Sequence, residues 1–173
     1  AYKHMYESEI TGKFQALDED TPIYLRRRFA FGLAEQDRVR YVLEYLAEGD
    51  MATALELARI SHYGDFDHEV EQSELASLSQ LADAGDHRGR LCFLPGGYGR
   101  MTPEYDLAVR RVNEYLIETG GLEAGAVQRL GAGWGGNMGG LIKRDYIYGT
   151  GREPFARFLA DELGIEGPIE RCV

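Results

Sequence analysis

The chain has 173 residues, 44% of them apolar and 28% charged, which suits one globular domain with a full-sized core and excludes fibrous or disordered classes. Its formal net charge of −10 argues against a nucleic-acid binder, because phosphate-backbone affinity needs a concentrated basic surface. No stretch approaches the ~18 consecutive apolar residues of a membrane span, and Ala1 to Tyr6 are too polar for a signal-peptide core, so the expectation is a cytoplasmic protein. Cys92 and Cys172 make neither a disulfide framework nor a metal-ligand spacing, and read as ordinary thiols.

The first helical pattern runs from about Thr21 to Ala47, with Val39, Val42, Leu43 and Leu46 spaced to share one face. Its basic run Arg26-Arg27-Arg28 reads as a solvated face or as partners for Asp18, Glu19 and Asp20. Gly49 stops the helix and Asp50 caps a second, in which Met51, Ala54, Leu55 and Ala58 repeat the spacing as far as Ser61-His62. The two make a helical hairpin. A third helical pattern spans about Val70 to Ala84, and Gly85 to Gly89 is a polar break. Thr102 as cap and Pro103 at the first helical position begin the clearest helix, whose apolar stripe is Tyr105, Ala108, Val109, Val112 and Leu116, ended by Gly120-Gly121.

Beyond Gly125 the period changes. Ala126 to Leu130 is a strand, a glycine-rich turn follows, and Met138 to Lys143 is a second strand carrying Gly139 and Gly140. Glu153 to Leu163 is a last helix with Phe155, Phe158 and Leu159 inward and Gly164 at its end, and Ile169 to Val173 is a final strand. Helices first, then a small sheet with a packed helix, make the chain α+β.

The turn Gly131-Ala132-Gly133-Trp134-Gly135-Gly136 holds four glycines in six residues, entered from a strand. Such a backbone can take positive φ and bring several N–H groups to one side, as an anion cradle requires. It can equally be a tight turn or bulge that lets strands and a helix pack closely. Asn137-Met138 stand where a Walker-type loop needs Lys and Ser or Thr, and a strand follows where a dinucleotide-binding turn would open a helix.

That turn, preceded by Ala126-Val127-Gln128-Arg129-Leu130, resembles the third signature motif of the GHMP kinases in its galactokinase form. Three further stretches agree in order. Tyr24-Leu25-Arg26-Arg27-Arg28-Phe29 to Ala34-Glu35 is similar to the arginine-rich helix of galactokinases; Leu46-Ala47-Glu48-Gly49-Asp50 through Ser61-His62 to their helix pair ending in Ser-His; and Thr102-Pro103-Glu104-Tyr105-Asp106 to their Cys-Pro-Glu-Leu-Asp helix start. The resemblance covers roughly residues 20 to 173. It implies a single carboxyl-terminal GHMP domain over 1–173, with a ferredoxin-like antiparallel core elaborated by helices and an insertion within 63–100.

The chain departs from the family pattern at Asn137, where galactokinases have a cysteine, and in the about 40 residues between Ser61-His62 and the Pro-Glu-Tyr-Asp start. That longer stretch, with Leu94-Pro95-Gly96-Gly97-Tyr98-Gly99, is similar to a longer branch of galactokinase-like proteins. The Gly-Glu-His-Thr-Asp core and the Gly-Leu-Ser-Ser-Ser phosphate loop of the family have no counterpart in these residues. The resemblance therefore implies a fragment of a longer ATP-dependent sugar 1-kinase, with ATP and Mg²⁺ held mostly by an amino-terminal domain and no catalytic residue or metal ligand here. In-line phosphoryl transfer needs more positioning than one glycine turn supplies, so the piece is expected to be inactive alone. Gly131, Gly133, Trp134, Gly135, Gly136 and His62 are then supports of the phosphate loop and the sugar cleft.

Ser61-His62-Tyr63-Gly64-Asp65-Phe66-Asp67-His68 gathers histidines and aspartates, yet at no standard zinc spacing. It reads as a helix end, or as lining of a sugar or phosphate cleft; a Ser61–His62 nucleophile pair is disfavoured because adjacent helical residues point apart. Trp134 reads as packing over the turn and into a neighbouring domain. A non-catalytic ligand-binding or regulatory module with the same fold is the alternative reading.

Overall fold

The computed structural model describes residues 25–65, 92, 102–130 and 137–165. The helical pattern at Val70 to Ala84, the final strand at Ile169 to Val173, most of the 63–100 insertion and the glycine turn lie outside the described residues. The elements run α1 (Leu25–Glu48), α2 (Met51–Asp65), α3 (Pro103–Gly120), β1 (Gly125–Arg129), β2 (Met138–Ile142), α4 (Asp145–Tyr148) and α5 (Arg152–Leu163). Helices and a two-stranded antiparallel sheet make the fold α+β.

α1 and α2 pack as a hairpin. Gly49 turns the corner at φ +82°, a backbone conformation that costs a side-chain-bearing residue steric energy. Asp50 then caps α2: its carboxylate accepts from the Thr53 amide at 3.1 Å and from the Thr53 hydroxyl at 2.7 Å. These bonds favour the ionised form and hold the Asp50 carboxyl below its ordinary value.

The inward face of α1 follows its aliphatic spacing only in part: Val42 and Leu46 are half-buried, Val42 against the Tyr41 cluster. Val39 and Leu43 are 63% and 64% exposed, whereas Ala30, Phe31, Ala34, Arg38 and Tyr41 are buried. An arginine can occupy the inner face because its charge is matched there. Glu35 pairs with the guanidinium, and Nη1 donates to the Cys92 carbonyl at 3.1 Å. Tyr41, Leu57 and Cys92 form a small cluster beside it, with Val42, Tyr45 and Ile60 packed against it. Burial pushes the Cys92 thiol above its ordinary pKa, which keeps it protonated and weakly nucleophilic.

α3 starts as its sequence dictates. Thr102 Oγ1 accepts from the Tyr105 amide at 3.3 Å and Pro103 occupies the first turn, while at the far end the Gly121 amide donates to the Ile117 carbonyl at 2.9 Å. Its stripe Val109, Val112 and Leu116 meets Ala124, Val127, Tyr146, Phe155 and Phe158 in the main core. Tyr115 stacks on Phe158 with ring centroids 4.2 Å apart. α4 is a single turn at Asp145–Tyr148 that the sequence periodicity does not reveal; it brings Tyr146 into that core.

β1 is covered on both faces, since the successive residues Ala126 and Val127 are both buried. α2 and α3 both pack on it. The register pairs Gly125 with Ile142 and Val127 with Gly140. Gly140 is required by close approach, because a Cβ there would run into the Ala126 carbonyl. Lys143 donates to Ala124 at 2.8 Å and Leu130 to Asn137 at 3.0 Å, so the bonded pairs of the ladder alternate outward from these two and leave the Val127 N–H and C=O facing away from β2. Asn113 takes both: its Oδ1 accepts from Val127 N at 2.8 Å and its Nδ2 donates to Val127 O at 3.0 Å.

Asn113 thus stands in for a third strand, and Asn113→Ala is expected to lower unfolding free energy by about 2–4 kcal/mol by orphaning two buried backbone groups, read by urea denaturation. A second expectation concerns acid. The depressed Asp50 pKa contributes stability above the unfolded carboxylate value of about 3.9 and loses it as pH falls through the lower folded value. The difference in denaturation midpoint between the parent and Asp50→Asn should therefore shrink on acidification below about pH 4.

Candidate functional site

Hydrogen bonds link α1, α2 and α3 in series to the end of the β1–β2 hairpin from which the glycine segment continues. Leu130 and Asn137, hydrogen-bonded to each other, close the base of that segment. The Asn137 carbonyl also accepts from the Tyr105 hydroxyl at 2.7 Å, which ties the first turn of α3 to the hairpin end. Partial burial raises the Tyr105 pKa, with the nearby Arg129 charge opposing, so the phenol stays protonated and remains a donor.

One residue along α3, Asp106 is buried and accepts from two sides. Its Oδ1 lies 3.1 Å from His62 Nε2 and its Oδ2 takes Arg110 Nε at 2.7 Å. A carboxylate only accepts, so His62 presents Nε2–H to it. The position also suits the charge, because a carboxylate in the first turn of a helix faces the positive end of the peptide dipoles. The Arg110 guanidinium lies over the Tyr63 ring, 4.6 Å from its centroid, and burial raises the Tyr63 pKa.

Ser61, next to His62, turns the other way. Its hydroxyl donates to Glu35 Oε2 on α1 at 2.8 Å. Ser61 and His62 therefore serve different partners and do not form a nucleophile–base pair. Among the described residues, no three His, Cys, Asp or Glu side chains converge as a metal site would require.

His62 is the one predicted site residue among those described, and it is 1% exposed. Gly131, Gly133, Trp134, Gly135 and Gly136 lie outside them. What the structure adds is connection. Glu35, Ser61, His62, Tyr105 and Asp106 belong to three stretches widely separated in sequence, and hydrogen bonds join α1 to α2, α2 to α3, and α3 to the hairpin end. Chemically this is a positioning frame: the donors and acceptors named are engaged with one another, so its output is geometry rather than an exposed acid or base.

Sequence reasoning passed over two further residues that set this geometry. Arg59, almost fully buried, donates from Nη2 to the carbonyls of Leu122 at 2.7 Å and Gly125 at 2.9 Å and from Nη1 to Glu56 at 3.0 Å, fastening α2 to the entry of β1. Asn113 fastens α3 to its middle. The available signal in both was a polar residue at a core position, Arg59 between Ala58 and Ile60 and Asn113 within the Val109–Leu116 stripe.

Comparison with known protein families, with curated proteins and with solved structures gave no match.

The His62–Asp106 pair is open to direct measurement. His62→Ala and Asp106→Ala are each expected to destabilise by about 1–3 kcal/mol, since Asp106→Ala leaves the buried His62 Nε2–H unsatisfied and His62→Ala removes one of the two partners of Asp106 and leaves a cavity. The double variant should cost less than the sum by about 1–3 kcal/mol. Additive losses in urea titrations would mean that the contact contributes nothing.

Proposed function

We propose that this chain is the carboxyl-terminal GHMP domain of a galactokinase-like kinase that transfers the terminal phosphoryl group of ATP to the anomeric hydroxyl of galactose or a related sugar. The observation that carries the reading is the spatial union of the quoted stretches. Glu35 of the arginine-rich helix bonds Ser61 of the Ser-His stretch, His62 meets Asp106 of the Pro-Glu-Tyr-Asp start, and Tyr105 of that start holds the residue that follows the glycine turn.

In this reading the domain supplies a wall of the cleft. The hairpin end at Leu130 and Asn137 is tied to the amino-terminal turn of α3, where backbone N–H groups and the helix dipole favour negative charge. His62 and Asp106 are positioning residues for that end and do not touch the reacting atoms. ATP, Mg²⁺ and the sugar are held mostly by an amino-terminal domain. A cytoplasmic location fits this role, and among the described residues no helix is long and apolar enough to cross a membrane.

The test compares residues 1–173 with the intact polypeptide. The intact protein should form a sugar 1-phosphate from galactose and MgATP, and its upstream sequence should contain the Gly-Leu-Ser-Ser-Ser and Gly-Glu-His-Thr-Asp segments. Calorimetry of the 1–173 piece should show little binding of either substrate. ATP hydrolysis by that piece alone, or an upstream sequence without those segments, would sink the proposal. Tight binding of another small ligand by 1–173 would favour a regulatory module.

A further inference from the structure

α1 carries two apolar faces. The inner one, with Phe31, Ala34 and Tyr41 buried, is turned to α2 and Leu57. On the opposite side Phe29, Leu33, Gln36, Arg40, Leu43 and Ala47 follow one another at alternating steps of four and three, the repeat of a helix-pairing seam. Phe29, Leu33 and Leu43 are 70%, 40% and 64% exposed, and the exposed Val39 flanks them. Scattered apolar residues on a surface need no explanation, but a continuous stripe of them marks a contact. Gly32 flanks the same stripe, and nothing lies within 4 Å of the place its Cβ would occupy. Glycine inside a helix costs about 1 kcal/mol relative to alanine, and no close neighbour within the chain accounts for it.

We propose that this stripe pairs, antiparallel, with the same stripe of a second copy of this chain. The inference does not rest on the kinase reading. Its ground is that the stripe complements itself in one direction only. Parallel copies would set Arg40 against Arg40 and the small Ala47 against Ala47. Antiparallel copies, related by a twofold axis near Arg38, pair Phe29 with Ala47, Leu33 with Leu43 and Gln36 with Arg40, each twice. Large then meets small, and leucine meets leucine. The polar layer is self-consistent, because the Gln36 side-chain carbonyl accepts from a guanidinium whose charge is already answered by Asp37 at 3.5 Å. Gly32 comes opposite Leu46 of the other copy, where the missing Cβ gives that side chain room, and Val39 comes opposite Val39. From Phe29 to Ala47 the seam is about 27 Å long, which places the interface at the small, reversible end of the range.

Sedimentation velocity of the chain tests this. The unaltered chain should pass from monomer to dimer with rising concentration in the micromolar range, and more readily when salt screens the repulsion between two copies of net charge −10. Leu33→Glu and Leu43→Glu, both at exposed positions, should each lower the association constant at least about 10-fold by burying a charge against leucine, with the helical dichroism of the dilute monomer unchanged. The double variant Leu33→Glu, Leu43→Lys brings opposite charges together only in antiparallel copies, so it should regain affinity relative to Leu33→Glu alone. A chain that stays monomeric at every concentration overturns the inference. So does a dimer unmoved by the two glutamate variants, or one weakened further in the double variant.

Discussion

Everything described depends on burying β1 without orphaning its backbone. A strand covered on both faces cannot turn its amide groups to water, so each must find a partner within the protein. β2 supplies one side of the ladder, Asn113 supplies the other at Val127, and Arg59 collects the carbonyls of Leu122 and Gly125 where the strand begins. These partners come from β2, α3 and α2, so satisfying one strand also fixes the relative placement of two helices. Apolar contact alone would leave helices on a strand free to slide; directed bonds from Asn113 and Arg59 set a register.

The same logic extends outward from α2. Its carboxyl-terminal part presents Ser61 and His62 to different neighbours, Glu35 on α1 and Asp106 on α3. Because Asp106 is also gripped by Arg110, the first turn of α3 is held through both carboxylate oxygens. Tyr105 in that turn then reaches Asn137, so a polar frame that starts on α1 ends at the base of the glycine segment. Removing one partner of a buried hydrogen bond leaves the other unsatisfied, which makes the frame intolerant of single changes. That intolerance is what a domain needs if its task is to hold one end of a hairpin in a single pose.

The sheet itself is asymmetric. Its β1 side is closed by the Asn113 side chain, whereas among the described residues no strand pairs with the outer side of β2, an uncharged strand with two glycines. The bare glycines have a separate cause, since Gly140 admits no Cβ against the Ala126 carbonyl.

The amino-acid sequence alone determined the parts governed by local chemistry. The corner at Gly49, the Asp50 cap, the Thr102-Pro103 start, the Gly121 and Gly164 stops and both strands of the hairpin were legible, because each rests on φ preference, capping bonds or period over a few residues. The side of α1 that faces inward was not. Its aliphatic spacing points to Val39 and Leu43, but tertiary packing buries Arg38 and Tyr41, since Glu35 and the Cys92 carbonyl match the guanidinium inside. α4 escaped because four residues carry no measurable period. His62 was singled out by its neighbours in sequence, yet its partner Asp106 lies 44 positions away, and only the folded chain brings them together. Periodicity reports which residues can share a face; which face is buried, and which distant charge answers a buried one, is decided when the elements pack.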